Sequence, residues 1–174
     1  MSHKVSPISK EYTLNTNDLI VTKTNLKGNI TYANETFLDI SILEEEDTLA
    51  KPHNIIRHPD MPKAVFKMLW DTLKGGDEFF GVIKNFCSDG GYYWVFANIT
   101  PSYGSNNEVI GYFSVRRKPN KEVVKVMSAL YKQMCEAEKH SSSPIKAIEN
   151  STNILTDFIN TQGVSYNEYL ISFT

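Results

Sequence analysis

The sequence predicts an α+β domain built on an antiparallel sheet of about five strands. Three observations carry that expectation. Strand-like runs over 79–87, 91–101 and 108–118 follow one another, and Ser88-Asp89-Gly90-Gly91 joins the first two as a hairpin turn. Two shorter runs, 19–21 and 29–32, flank Asn25-Leu26-Lys27-Gly28, a turn with glycine at the position that needs positive φ. Helical periodicity falls between this hairpin and the meander, and again only after Pro119.

Taken in order, residues 1–16 mix Ser, Thr, Lys, Asn and Pro without periodicity and read as a mobile arm or cap. Asn34 is the expected N-cap of a short helix that turns Phe37, Leu38 and Ile40 inward. The acidic cluster at 44–47 suits the exposed first turn of another short helix. Pro52, Pro59 and Pro62 exclude one continuous helix over 51–62. A longer helix follows, with Pro62 near its first turn and Val65, Phe66, Leu69, Trp70 and Leu73 on one face. Gly75-Gly76 ends it. Residues 120–140 form an amphipathic signalling or docking helix, centred on 121–139. Its Val123, Met127, Leu130 and Met134 make a seam that wants a partner, either an external one or its own sheet. Ser141-Ser142-Ser143-Pro144 breaks it. Residues 141–174 then read as a polar linker with one short helical stretch carrying Ile145, Ile148, Leu155 and Ile159.

Composition narrows the class. The chain has 174 residues, 41% hydrophobic and 22% charged, enough for one well-filled core and little beyond it. Lys+Arg 18 against Asp+Glu 20 leaves a net charge of −2, which does not favour nucleic acid or an anionic membrane as default partner. The longest apolar run, 92–97, is far short of a membrane span, and the start is polar with no signal-like apolar stretch. Cys87 and Cys135 have no metal-ligand spacing. Free thiols fit a reducing compartment, so a soluble cytoplasmic protein is expected.

The densest chemistry lies at 53–60, where His53, Arg57, His58 and Asp60 share a proline-bounded loop. These are metal-ligand types, but no helical HxxxH register and no thiolate accompanies them. A plain alternative has Arg57 and Asp60 pairing to pin the loop. A third reading joins a fixed cation, a titratable ring and an acid in a cofactor site beside the aromatic-rich helix. No nucleophile elbow, no phosphate-cradling loop with its Lys and no CxxC is present, so no hydrolase is expected. Trp70 alone would be a core residue. Asn85 stands out in a strand of Phe, Val and Ile. Alternation puts it on the side of Gly81 and Ile83, where an inward amide needs a partner, and a ligand is one candidate.

The order of hairpin, short helices, longer helix and meander resembles a PAS domain. Tyr32-Ala33-Asn34, Lys84-Asn85, Tyr93-Trp94-Val95 and the run Pro52-His53-Asn54-Ile55-Ile56-Arg57-His58-Pro59-Asp60-Met61-Pro62-Lys63 resemble the flavin-binding PAS domain of Aer-type aerotaxis receptors. The resemblance covers about residues 15–118, within a sensor domain bounded at 17–119. It implies non-covalent FAD and redox reporting to the chemotaxis machinery. It also implies that Arg57, His58 and Asp60 serve FAD binding, that Trp70 and Asn85 belong to the flavin pocket, and that Asn34 and His53, within the matching strings, are cofactor-binding as well. The light-oxygen-voltage branch of the family has a reactive Cys where this chain has Ile55, and a Gln on the last strand where it has Arg116. A flavin–thiol photocycle is therefore not expected. Arg116, which can only donate, would answer charge on the flavin.

Aerotaxis receptors continue into a membrane anchor, a HAMP segment and a signalling domain, which this sequence lacks. It is similar instead to the split CetB-like arrangement, in which a free PAS protein works with a separate CetA-like membrane receptor. The expectation is a non-enzymatic FAD-binding redox sensor for energy taxis, membrane-associated through that receptor, with a homodimer through the PAS domain or the 121–139 helix as a further option. Rivals are a haem-binding PAS sensor with His53 or His58 as axial ligand, a cofactor-free interaction module, and a flavin enzyme, for which no substrate-handling constellation is present.

Overall fold

The antiparallel core forms as its periodicity requires. In the computed structural model, which describes residues 5–174, β2 (Ile20–Asn25) and β3 (Ile30–Ala33) make the hairpin. β4 (Phe79–Phe86), β5 (Tyr92–Tyr103) and β6 (Val109–Arg117) make the meander. β6 pairs with β2, so the five strands run β3-β2-β6-β5-β4. Gly28 turns the hairpin at φ 79°.

The connection between β3 and β4 carries the helices. α1 (Glu35–Ser41) is capped by Asn34, whose side chain accepts from the Phe37 amide. The acidic cluster opens α2 (Glu45–Thr48), and a short 3-10 turn at His53–Ile56 leads into the prolines. α3 (Lys63–Lys74) follows, burying Val65, Leu69 and Leu73 against the sheet.

The ends depart from expectation. Residues 1–4 lie outside the described residues, so only part of the anticipated arm can be compared. Its remainder is ordered: β1 (Glu11–Tyr12) adds to β5 in parallel, giving a sixth strand. The Ile8 amide donates to the Gly90 carbonyl at 2.9 Å, Tyr12 donates to Asp89 at 2.6 Å, and Leu14 is buried. The reason is an open edge: β6 pairs with β5 only from Phe96 onward, leaving the start of β5 to take up the arm.

The second departure is at 141–174. It is not a polar linker but α5 (Pro144–Gln162) and α6 (Tyr166–Ile171). Ser143 caps α5, Pro144 opens it and Gly163 closes it at φ 71°. α5 packs on α3 and α4, and α6 on β4. The heptad is broken at Thr152, yet the helix buries the stripe Ala147, Ser151 and Leu155 and packs Ile148, Phe158 and Ile159 beside it. α4 (Lys121–Lys139) matches its expected bounds, yet its seam finds partners within the chain. Val123, Met127, Leu130 and Met134 are buried, and Tyr131 stacks on Trp94 while donating to the Val82 carbonyl at 2.8 Å. The seam expected to serve docking is therefore already covered. No described helix is long and apolar enough to cross a membrane.

Candidate functional site

Alternation along the strands sends Thr22 and Thr24 of β2, Ile83 and Asn85 of β4, Ile99 of β5, and Tyr112, Ser114 and Arg116 of β6 to one side. There they face Phe66, Leu69, Trp70 and Leu73 of α3. Between the two lies a cavity of about 410 Å³, within the range of small-molecule sites. Trp70 forms part of the wall, edge-on to Tyr112 with ring centroids 5.4 Å apart. Gly28 lies beneath it: a Cβ there would come within 3.2 Å of the indole, on a backbone already in the left-handed region. Gly28→Ala is thus expected to cost about 1–2 kcal/mol, read as a lower urea midpoint at unchanged slope.

Five of the eight residues singled out from sequence meet here: His53, Arg57, Trp70, Asn85 and Arg116. Arg116 is 3% exposed, and no carboxylate lies within ion-pair distance of it among the described residues. Its Nη2 donates to Thr22 Oγ1 and to His53 Nε2, both at 2.7 Å. Accepting that bond requires a neutral His53 with its proton on Nδ1. Burial first, and then the Arg116 charge, push the His53 pKa down to about 3. Burial likewise lowers the Arg116 guanidinium to about 10.

Three buried polar atoms on these walls have no protein partner: Asn85 Nδ2, Ser114 Oγ and Arg116 Nη1. Such orphans are rare in folded proteins and each costs about 1–3 kcal/mol. An apolar slot with three unanswered polar groups fits a flat ligand with a polar edge. At the mouth, half-buried Arg57 lies over the Phe66 ring at 4.2 Å and donates to the Met61 carbonyl. Exposed Lys27 also lines the cavity, adding a second cation.

The other three named residues do not line the cavity. Asn34 spends its side chain on backbone, accepting from Val21 and Phe37 and donating to the Leu19 carbonyl. His58 is buried edge-on to Phe86 and Tyr92, and its Nδ1 accepts from the Asp60 amide at 3.1 Å. Burial and then Lys84 hold its pKa at about 4. The Asp60 carboxylate is largely exposed and pairs with Lys84 at 2.7 Å. These three, expected as cofactor-binding residues, thus stand outside the cavity lining. The proline-bounded motif is divided: His53, Asn54 and Arg57 face the cavity, while His58 and Asp60 anchor the loop to β4 and β5. The simple pairing of Arg57 with Asp60 does not occur either.

Thr22, Ser114 and Tyr112 were missed. Stepping back by two from Arg116 would have found Ser114 and Tyr112, whereas Thr22 depends on its pairing opposite Ser114 across strands. Neither cysteine lines the cavity; burial pushes Cys87 up to about 12 and Cys135 up to about 11. No group of three His, Cys, Asp or Glu residues is arranged to hold a metal among the described residues. His53 Nε2 is engaged by Arg116, and His58 is outside the cavity, so neither is free to serve as an axial ligand there.

Comparison with known proteins agrees with this architecture. The PAS fold family model matches residues 30–116, and the chain belongs to that family of sensor domains. Light-oxygen-voltage domains share the fold. The dark and light structures of the blue-light photoreceptor Aureochrome1 LOV superpose with TM-scores of 0.56 and 0.57 at 17% and 16% identity. They cover 64% and 66% of this chain and 81% and 90% of theirs. Within the family this is a PAS domain of the aerotaxis-receptor type. It is 38% identical over 115 residues to the aerotaxis receptor of Escherichia coli (strain K12), covering 66% of this chain and 22% of the receptor. The nitrogen fixation regulatory protein of Klebsiella pneumoniae is 27% identical over 97 residues, covering 56% of this chain and 20% of that protein. The chain thus spans about a fifth of the curated relatives it matches.

Proposed function

We propose that this domain is a non-enzymatic redox sensor that holds FAD in the cavity between α3 and the sheet. It reports to a membrane-bound chemotaxis receptor of the CetA-like, HAMP-containing kind, acting from the cytoplasm in energy taxis. The observation that carries the reading is the set of three orphaned polar atoms on the wall of an apolar, Trp70-lined slot. Similarity to an aerotaxis receptor supports the redox role and the receptor partner.

FAD, when bound, supplies a ring whose edge accepts a hydrogen bond when oxidised and donates one when reduced. The chain's own groups answer those states differently. The Asn85 amide offers a donor or an acceptor by turning over. Arg116 only donates and carries a buried charge, so it favours a ligand that gains negative charge on reduction. The two states therefore have different free energies in the same pocket, which is the condition for shifting a conformational population. Arg57, which shares the cavity lining with Lys27, suits the phosphate groups, because guanidinium geometry matches them. His58, Asp60 and Asn34 act by positioning the loop and α1.

The first test is an absorption spectrum of the purified protein, before and after addition of FAD, with identification of any released cofactor. A flavin spectrum with FAD supports the reading. Arg57→Ala is expected to stay folded and to lose about 10- to 100-fold in FAD affinity, emerging colourless from purification. Retained stoichiometric FAD in that variant would remove Arg57 from the site. A wild-type protein that stays colourless with FAD would point to a cofactor-free interaction module.

A further inference from the structure

We propose that Glu138, which lies in α4 beyond the residues matched by the family model, is a positioning residue of the ligand cavity. It ties the cavity mouth to the C-terminal helices, so that ligand binding and α4 docking form one coupled equilibrium. The inference rests on the flavin reading above. It begins with an unmet need at the start of α3. The residue preceding that helix is Pro62, which offers no side-chain cap, so the first amides of α3 need an acceptor from elsewhere. Glu138 supplies it from a distant part of the chain. Its Oε2 accepts from the Lys63 amide at 3.0 Å and its Oε1 from the Ala64 amide at 3.1 Å. One turn earlier on the same face of α4, the Cys135 thiol donates to the Asp60 carbonyl at 3.2 Å.

The segment gripped in this way is the one that serves the cavity. Arg57 lines its mouth, and Phe66, Leu69, Trp70 and Leu73 of α3 form a wall. Arg57 also rests on Phe66 and donates to Met61, between the two points held by α4. Burial lowers the Arg57 guanidinium, and the nearby Glu138 carboxylate works against that. Glu138 thus acts on α3 by hydrogen bonds and on Arg57 through space, without an ion pair. A ligand phosphate drawing on Arg57 changes the charge that Glu138 faces and the loop it holds. By linkage, whatever ligand binding does to α4 docking, α4 docking does to ligand affinity by the same factor. The same contact gives the redox signal a route into the α4–α5 pair, with no need for the buried seam of α4 to open first.

The test is hydrogen–deuterium exchange read by mass spectrometry on the full chain, with and without FAD, for wild type and Glu138→Gln. The variant keeps shape and one acceptor but loses the charge and the second acceptor. In wild type, FAD should slow exchange at 60–64 and at 131–140. Glu138→Gln should bind FAD about fivefold or more weakly and lose the FAD-dependent change at 131–140. Wild type that binds FAD with no change at 131–140 overturns the inference alone, as does Glu138→Gln with wild-type affinity. Wild type that takes up no FAD overturns the flavin reading and this inference together. Should the variant fail to fold, the wild-type comparison decides by itself.

Discussion

Replacing Arg116 with methionine is expected to make the ligand-free protein more stable and the flavin-loaded protein weaker. The guanidinium is 3% exposed and has no carboxylate partner among the described residues. Its fall from 12.5 to about 10 corresponds to roughly 3 kcal/mol of penalty on the charged form. Against this stand the bonds to Thr22 and His53, about 1 kcal/mol each. Those acceptors are not stranded by the change, because Thr22 Oγ1 lies 3.1 Å from His53 Nε2 and can donate to it. Methionine also follows much of the arginine stem. The balance is a gain of about 1–2 kcal/mol, in line with other buried charges replaced by apolar residues. Urea unfolding without ligand should show a higher midpoint at unchanged slope. FAD titration should show affinity reduced about tenfold or more, and the bound flavin should become harder to reduce. A lower midpoint for ligand-free Arg116→Met would show that the two hydrogen bonds outweigh the burial cost. Unchanged reduction potential would remove Arg116 from the redox mechanism.

The second large effect is on pH. His53 and His58 have folded pKa values of about 3 and about 4, both pushed down chiefly by burial. Their unfolded value is about 6.5. For a base depressed on folding, the unfolded chain binds more protons as pH falls below the unfolded value. Stability is therefore fully present above about pH 7 and is lost as pH drops toward 3 to 4. Between pH 8 and pH 5 each histidine accounts for about 2 kcal/mol, so roughly 4 kcal/mol is lost in all, a large part of a typical domain's stability. Asp60 is likewise held below its ordinary value, because Lys84 and then His58 outweigh its burial. Chemical denaturation at a series of pH values measures the slope. His58→Asn retains an acceptor for the Asp60 amide and should remove about half of it. A slope that stays whole in that variant would mean that His58 takes up its proton equally in the folded and the unfolded protein.

These two predictions show how unevenly the site could be read in the sequence. Asn85 was legible because an amide in an apolar strand violates strand preference, and alternation gave its side. Arg116 came only through the family resemblance, and the next cavity residues on its strand, Ser114 and Tyr112, would have followed from a step of two. The loop motif was legible as a unit but not in its division of labour. His53 and Arg57 face the cavity while His58 and Asp60 face away. Nothing local distinguishes two histidines five residues apart in a stretch bounded by Pro52 and Pro59 and too short to show a periodicity. Glu138 had no signal at all, since its target amides lie 75 and 74 positions earlier and a glutamate on a helix surface looks like any solvated charge.

Hydrophobic spacing and turn residues by themselves determined the five antiparallel strands, the α3 face and the 121–139 helix, because those features depend on neighbours within a few positions. Only tertiary structure decided what each exposed edge and stripe would meet. The open start of β5 converted the N-terminal arm into a strand. α5, too weakly patterned to declare itself, became a helix by burying a stripe against α3 and α4, and the α4 seam closed on its own chain. Pairing register brought Thr22 and Ser114 beside Arg116 and left a buried cation facing a cavity. Register and long-range packing are set by the fit of surfaces far apart in sequence, and no window of residues records them.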